Sequence, residues 1–132
     1  IDRKWKAGDV VKLSLDMSPH YWVGEQECEG LVSMYRGPLL MTYDRRFNEF
    51  DPDDIPALDA TALRGKAVDP DVQYPPQLLM KYKNSDDQNL YLCDFGSAGE
   101  GGTPYRSWLK IDGLQKTEFS QENPLRSGRV AR

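Results

Sequence analysis

Apolar and polar residues alternate most regularly over residues 10–17, and this pattern has a period of two. The apolar positions are Val11, Leu13, Leu15 and Met17. Successive side chains of a β-strand point to opposite faces, so this spacing is typical of a strand with one buried and one solvated face. We therefore predict a strand over residues 10–17.

The stretch 30–44 is predicted to lie at the centre of the domain. Two strand-length runs rich in apolar and β-forming residues, 31–35 and 39–43, flank Arg36-Gly37-Pro38. Gly37 permits backbone conformations that a Cβ disfavours, and Pro38 fixes φ and lacks an N–H group. The pattern predicts a strand, a kink or bulge, and a second strand. A bulge would let one long strand bend around the core.

Further strands are predicted from alternating or β-rich runs. They are a short edge strand at 21–23, then 77–83, 90–95, 105–111 and a short strand at 114–119. The polar residues 84–87 are typical of a turn, which would make 77–95 a hairpin. About seven short strands and almost no helix predict an all-β, antiparallel β-sandwich that is jelly-roll-like.

The region 45–76 is predicted to be a long loop insertion between sheet strands. It is acidic and interrupted by prolines, and loops of this length in a compact domain are usually functional or flexible. Residues 60–66 could form one or two helical turns with Asp59 as the N-cap. We expect one β-sandwich domain over residues 1–120, followed by a flexible C-terminal tail at 121–132.

Composition excludes some classes of protein. The 132 residues carry 21 acidic against 17 basic side chains, a net charge of −4, without the basic stripe of a typical nucleic-acid-binding protein. No apolar run approaches the ~20 residues needed to span a bilayer. We expect neither nucleic acid nor a membrane as partner. The chain begins without Met and shows no signal peptide, which we interpret as a piece cut from a longer protein.

Candidate chemistry is sparse, and we expect no cofactor, no metal and no catalytic residue. The Gly-rich stretch 96–102 is not followed by the Lys of a phosphate-binding loop, which favours a mobile hairpin loop. Asp51, Asp53 and Asp54 do not match the calcium-loop pattern, although an irregular calcium site stays open. The single histidine, His20, has no nucleophile motif to serve and is interpreted as a loop residue.

The two cysteines, Cys28 and Cys93, do not have the spacing of a metal site. Cys93 lies in a predicted strand and is expected to be a small buried apolar residue. A disulfide between the two stays open, but a domain of this size does not need one.

Aromatic residues are the best candidates for ligand contact. Tyr21 and Trp22 lie in a polar connection, so we predict that they are exposed and could stack on sugar rings. Trp5 and Trp108 neighbour strand patterns and are interpreted as core or interface residues.

The order of several motifs is similar to that of a known family. The motifs are Arg3-Lys-Trp-x-x-Gly-Asp-x-Val-x-Leu-x-Leu-x-Met17, Tyr35-Arg-Gly-Pro-Leu-Leu40, Asp94-Phe-Gly-Ser-Ala-Gly99 and Tyr105-Arg-Ser-Trp108. Together they resemble the C-terminal part of the β-L-arabinofuranosidase-type bacterial glycoside hydrolases, long catalogued as a domain of unknown function. The likeness covers residues 3–109, and the insertion at 45–76 is the least well placed.

The resemblance implies an (α/α)6 catalytic barrel followed by β-sandwich domains. In that family the barrel carries a glutamate acid/base and a zinc-bound cysteine nucleophile, and Cys28 and Cys93 match no such cluster. The predicted function is therefore a non-catalytic accessory domain of a glycoside hydrolase that packs against and stabilises the barrel, with Trp5, Arg36 and Trp108 in the interdomain contact. The resemblance implies a periplasmic or secreted bacterial protein, and a cytoplasmic one stays open.

Two alternatives stay open at this stage. A carbohydrate-binding module would use Tyr21 and Trp22 on a plant-type oligosaccharide. A small enzyme in its own right would need a pocket with converging polar groups.

Overall fold

The computed structural model describes residues 1–113, and nearly all of its regular structure is β. The strands are β1 (Pro19–Val23), β2 (Val32–Arg36), β3 (Leu39–Asp44), β4 (Leu58–Asp59), β5 (Lys66–Ala67), β6 (Leu79–Lys83), β7 (Asn89–Asp94), β8 (Tyr105–Arg106), β9 (Trp108–Leu109) and β10 (Ile111–Asp112). Four single 3₁₀ turns lie at Gln26–Cys28, Arg45–Phe47, Phe95–Ser97 and Glu100–Gly102. None of the helices in this part of the chain has the length and hydrophobicity that spanning a bilayer requires.

The main sheet is antiparallel, in the order β1-β2-β3-β7-β6-β5. It curls into a half-barrel, and the short parallel pair β4–β10 forms a second sheet. The predicted all-β, antiparallel, sandwich-like fold is confirmed. The predicted hairpin at 77–95 is confirmed as β6–β7, and the predicted edge strand at 21–23 is confirmed as β1.

A short segment fills the open end of the β2–β3 hairpin. β2 and β3 pair near their turn, but beyond Met34 and Met41 each strand pairs instead with residues 105–109. β8 pairs with β3 and β9 pairs with β2, so the chain changes direction at Ser107, whose hydroxyl lies 3.1 Å from that of Thr42. We call residues 105–109 the wedge. The predicted single strand over 105–111 is wrong, because the wedge pairs first with β3 and then with β2, and these two strands diverge.

The core lies on one face of the curled sheet, where alternate residues of neighbouring strands line up. Tyr21, Met34 and Met41 form one row across β1–β3, and Tyr43, Leu92 and Met80 form another across β3, β7 and β6. The remaining buried apolar residues of this cluster are Val32, Ile55, Leu58, Leu63, Tyr82, Leu90, Leu109 and Ile111. This face is shielded from solvent, because less than a tenth of each of these residues is exposed.

The central stretch 30–44 is a tight hairpin and not one bent strand. Arg36 pairs with Leu39, so only Gly37 and Pro38 form the turn. Gly37 has φ +53°, and a Cβ there would collide with the Asp16 carbonyl oxygen. The predicted bulge is therefore wrong, although both predicted strands and their central position are confirmed.

The strand predicted over residues 10–17 is also wrong. These residues lie outside every strand, and all of them are exposed. The chain joins the sheet only at its end, where the Gly37 N–H donates to the Ser18 carbonyl oxygen at 3.1 Å. Alternating apolar and polar residues indicate that one face of a segment can be buried, but a strand also needs a partner for its backbone hydrogen bonds. Residues 1–113 supply no such partner here.

The long connection predicted at 45–76 contributes to the core as well as to the surface. Ile55, Leu58 and Leu63 are buried in the main cluster. The helical turns predicted at 60–66 are wrong, because the chain forms non-helical turns there and then β5. Asp59 still caps a turn, since its carboxylate accepts from the Thr61 N–H and hydroxyl.

One side chain of this connection extends the sheet. The Asn48 amide donates to the Tyr91 carbonyl oxygen and accepts from the Tyr91 N–H, both at 2.9 Å. The Asn48 side chain thus provides the backbone of Tyr91 with hydrogen-bond partners just beyond Tyr43–Leu92, the last pair of β3 and β7.

The two predictions near the C-terminus, a short strand at 114–119 and a flexible tail at 121–132, lie outside the described residues. The division into a domain at 1–120 and a tail therefore stays a prediction.

Candidate interaction surfaces

A half-exposed aromatic cluster lies on the outer face of β1 and β2. Tyr35 stacks on His20 with ring centroids 5.2 Å apart and a 10° angle between the planes. Trp22 packs on the same Tyr35 ring at 4.5 Å and 37°. All three rings are partly exposed, so together they form an aromatic surface that extends from the edge strand β1 onto its neighbour β2. We call His20, Trp22 and Tyr35 the aromatic platform.

The structure separates the predicted pair Tyr21 and Trp22. Tyr21 is 1% exposed and lies in the core, so the expectation that its ring is exposed is wrong. Consecutive residues of a strand point to opposite faces, and a strand at 21–23 already required this separation. Trp22 keeps a half-exposed ring, but its buried Nε1 has no hydrogen-bond partner among residues 1–113.

Sequence reasoning missed Tyr35 and His20 as members of the platform. The sequence did contain evidence for the position of Tyr35, because this residue lies in the predicted strand 31–35. Its partner His20 was assigned to a loop, whereas the structure places it in β1 directly opposite Tyr35.

The residues predicted to make interdomain contacts lie in three separate parts of the chain, and their role in such a contact stays a prediction. Trp5 is 52% exposed and lies under the Arg3 guanidinium at 5.0 Å, and Trp108 is 41% exposed on β9. Neither is a core residue, so only their interface interpretation remains. Arg36 ends β2 and donates from Nη1 to the Arg64 carbonyl oxygen at 2.7 Å, which ties two parts of the domain together.

The Gly-rich loop surrounds a buried carboxylate of the domain itself. Asp44 is fully buried and accepts from the Gly99 N–H at 2.8 Å and from the Thr103 hydroxyl at 3.1 Å. Arg46 adds its own N–H at 2.8 Å and its guanidinium at 3.0–3.2 Å. The Arg46 guanidinium also reaches the Ser97 carbonyl oxygen at 2.6 Å. The loop therefore holds an internal anion, which we call the Asp44 lock.

The electrostatics of the Asp44 lock favour the ionised carboxylate. Burial by itself raises the pKa of Asp44, but hydrogen bonds from Arg46 and Gly99 and the Arg46 charge outweigh it and hold the pKa below its ordinary value. A carboxylate with this many donors is a structural element of the fold.

The other candidates for chemistry give no assembled site in the described part of the chain. Residues 1–113 contain no group of three or more His, Cys, Asp or Glu side chains arranged to hold a metal ion. Cys28 and Cys93 are both free thiols, so the disulfide left open above is not formed. Burial raises the pKa of Cys93 to about 12, which keeps it protonated, and its predicted burial is confirmed.

The most unusual surface is formed by the exposed residues 10–17, which we call the N-terminal arm. Leu13 is 79% exposed, Val11 57% and Leu15 56%. Isolated exposed apolar side chains are normal, but an alternating series on one segment indicates a missing contact.

Comparison with family models, with curated proteins and with solved structures found no significant match for this chain. The resemblance to the C-terminal part of glycoside hydrolases therefore stays a prediction from the sequence motifs.

Proposed function

We propose that this domain is a non-catalytic accessory module that packs against another folded unit through its N-terminal arm. The observation that carries the proposal is the exposed apolar series of the arm. Following the motif resemblance, the occupant is the catalytic (α/α)6 barrel of a bacterial glycoside hydrolase in the same polypeptide. In this arrangement the arm anchors the module and the module stabilises the barrel.

The size of the apolar series is sufficient for such a role. Fully burying one Val, Leu or Met side chain stabilises by about 1.5–3 kcal/mol, so the arm offers several kcal/mol in total. The spacing of two presents these side chains on one side of an extended chain, with Lys12, Ser14 and Asp16 on the other. A segment with this pattern can add as a strand to the edge of a neighbouring sheet or lie in an apolar groove.

Amide hydrogen exchange tests the proposal. We expect arm amides to exchange rapidly in this chain alone and to be protected in a longer polypeptide that includes the preceding barrel. Replacing Leu13 and Leu15 with Ser should remove that protection and lower the thermal midpoint of the barrel. The matched control changes Lys12 and Ser14, which lie on the other side of the arm, and should leave protection intact.

Equal exchange in the short and long polypeptides would refute the arm as a docking element. If the protection of the arm rises with the concentration of the short chain alone, the partner of the arm is a second copy of the chain and not the barrel. Sedimentation velocity distinguishes that case by the appearance of a dimer.

A carbohydrate-binding role is the second candidate, and the aromatic platform favours it. Sugar rings stack on exposed aromatic faces, and Trp22 with Tyr35 offers two adjacent rings. A titration with plant cell-wall oligosaccharides, followed by tryptophan fluorescence, should then show saturable quenching that Trp22→Ala abolishes and Trp5→Ala preserves. An unchanged signal with every sugar would reject this role.

A further inference from the structure

A cleft lies beside β7, where β3 no longer covers the edge of that strand. β3 pairs with β7 only as far as Tyr43–Leu92, and the segment 47–50 lines the space beyond that pair. The volume of the cleft is about 370 Å³. Small-molecule sites in proteins measure about 300–1,000 Å³. The lining includes Phe47, Asn48, Glu49, Gln88, Asn89 and Tyr91.

The backbone of Asn89 is directed toward this uncovered edge. The Gln88 carbonyl oxygen accepts from the Asn84 N–H at 3.0 Å, so the backbone of Gln88 faces β6. Successive residues of an antiparallel strand turn their backbone groups to opposite sides. Asn89 therefore faces away from β6, as does Tyr91, whose N–H and carbonyl oxygen bind the Asn48 side chain. On that side the N–H and carbonyl groups of Asn89 have no backbone partner within residues 1–113.

One wall of the cleft is fixed by the fold itself. Asn48 is 6% exposed, and its amide also donates to the Asp44 carbonyl oxygen at 2.9 Å. Together with its two bonds to Tyr91, this holds the Asn48 side chain in place without a ligand. A preformed site loses less conformational freedom on binding, which favours affinity.

Side chains add further hydrogen-bonding groups beside an aromatic residue. Asn89 and Tyr91 are two residues apart on β7 and lie on the same face of the sheet, opposite the fully buried Leu90 and Leu92. Within residues 1–113, the Asn89 amide, the Tyr91 hydroxyl and the Glu49 carboxylate make no hydrogen bond to the protein. The cleft thus offers both donors and acceptors, and a hydroxyl group can serve both.

The charge and shape of the cleft select among classes of ligand. Of the described residues that line it, Glu49 alone is charged, so an anion would be repelled. A peptide strand needs several consecutive backbone pairs. Here Asn48 already occupies Tyr91, and only Asn89 is left to pair. A neutral ligand with several hydroxyl groups fits the lining best.

We propose that this cleft binds a neutral saccharide unit, with one face of the sugar ring on Tyr91 and its hydroxyl groups bonded to Asn89 and Glu49. A sugar ring has an apolar face and a rim of hydroxyl groups, which matches an aromatic ring bordered by donors and acceptors. The cleft shares no residue with the N-terminal arm or the aromatic platform, so this inference is independent of both.

An NMR titration of the 132-residue chain tests the proposal. The probes are glucose, xylose, cellobiose and xylobiose, with glucuronate as an anion and tetramethylammonium as a cation. We expect saturable amide shifts at Glu49, Asn89 and Tyr91 with at least one neutral sugar, and weaker binding of glucuronate. Tyr91→Ala should weaken binding about tenfold through the lost ring contact. Asn89→Ala should weaken it about three- to tenfold through the lost amide.

Matched controls remove the same groups outside the cleft. Tyr74→Ala and Gln77→Ala change exposed residues and should keep the affinity of wild type. Asn89 is exposed at the start of β7, so Asn89→Ala should keep the fold even if Tyr91→Ala does not, and the dispersion of amide resonances shows this.

Three outcomes would overturn the site. The first is the absence of saturable shifts with every neutral sugar, or unchanged affinity in Asn89→Ala. The second is tighter binding of glucuronate or tetramethylammonium than of any neutral sugar. The third is loss of binding in Trp22→Ala, which would place the sugar on the aromatic platform instead, whereas unchanged binding in that variant separates this cleft from the platform.

Discussion

Replacing Asp44 with Asn should destabilise the domain strongly while changing only one atom of the side chain. Both Asp44 oxygens accept from donors, with Arg46 N–H and Thr103 on one and Gly99 N–H and the Arg46 guanidinium on the other. In either orientation of the new side chain, the amide nitrogen introduced by Asp44→Asn would face N–H or O–H donors. The Arg46 charge, 17% exposed, would lose its counter-ion.

The expected loss is about 3–5 kcal/mol in the free energy of unfolding, the range for breaking a buried ion pair by removing one charge. This corresponds to a fall in the thermal midpoint on the order of 10 °C for a domain of this size. Urea denaturation followed by circular dichroism measures the change, and the slope of the free energy against urea should stay the same.

The exposed pair between Asp53 and Arg106 provides the control, because Asp53→Asn should cost less than about 1 kcal/mol. The pH dependence gives a second check. The pKa of Asp44 is lower in the folded protein than its ordinary value, so its contribution is complete above about pH 4 and is lost as the pH falls through the folded value. The difference between wild type and Asp44→Asn should therefore narrow below about pH 4. Equal effects of the two substitutions at neutral pH would refute the reasoning.

Two further substitutions test the packing. Asn48→Ala should cost about 2–3 kcal/mol in urea denaturation, because the Tyr91 N–H and carbonyl oxygen lose their partner; Glu49→Ala, at the exposed neighbouring position, should change stability by less than about 0.5 kcal/mol. Leu58→Ala should cost about 2–5 kcal/mol by leaving a cavity in the core, and a loss below about 1 kcal/mol would show that the 45–76 connection does not support it.

The strands that could be predicted from sequence are those whose local pattern and tertiary partners agree. β6 and β7 are one example, since alternating residues and a polar turn place two neighbours in sequence side by side in the sheet. β2 and β3 are another, although their connection was misinterpreted, because Gly37 and Pro38 serve a kink and a tight turn equally well.

The candidate surfaces were less predictable, because each joins residues far apart in the chain. The aromatic platform could be found in part, from the period of two that places His20 and Trp22 on the same face of β1. The Asp44 lock could not, since its donors come from residues 46, 99 and 103 and no local pattern links them.

By itself, the sequence determined the all-β class and which residues prefer one face of a strand, because both follow from side-chain chemistry at a spacing of two. Tertiary structure alone decided which of these segments became strands. The N-terminal arm has the most regular alternation and yet pairs with no strand in residues 1–113. The wedge at 105–109, in contrast, forms strands because β2 and β3 pair with it. The physical reason is that a strand is stabilised by hydrogen bonds and packing to a neighbour, and the neighbour is not encoded within the strand.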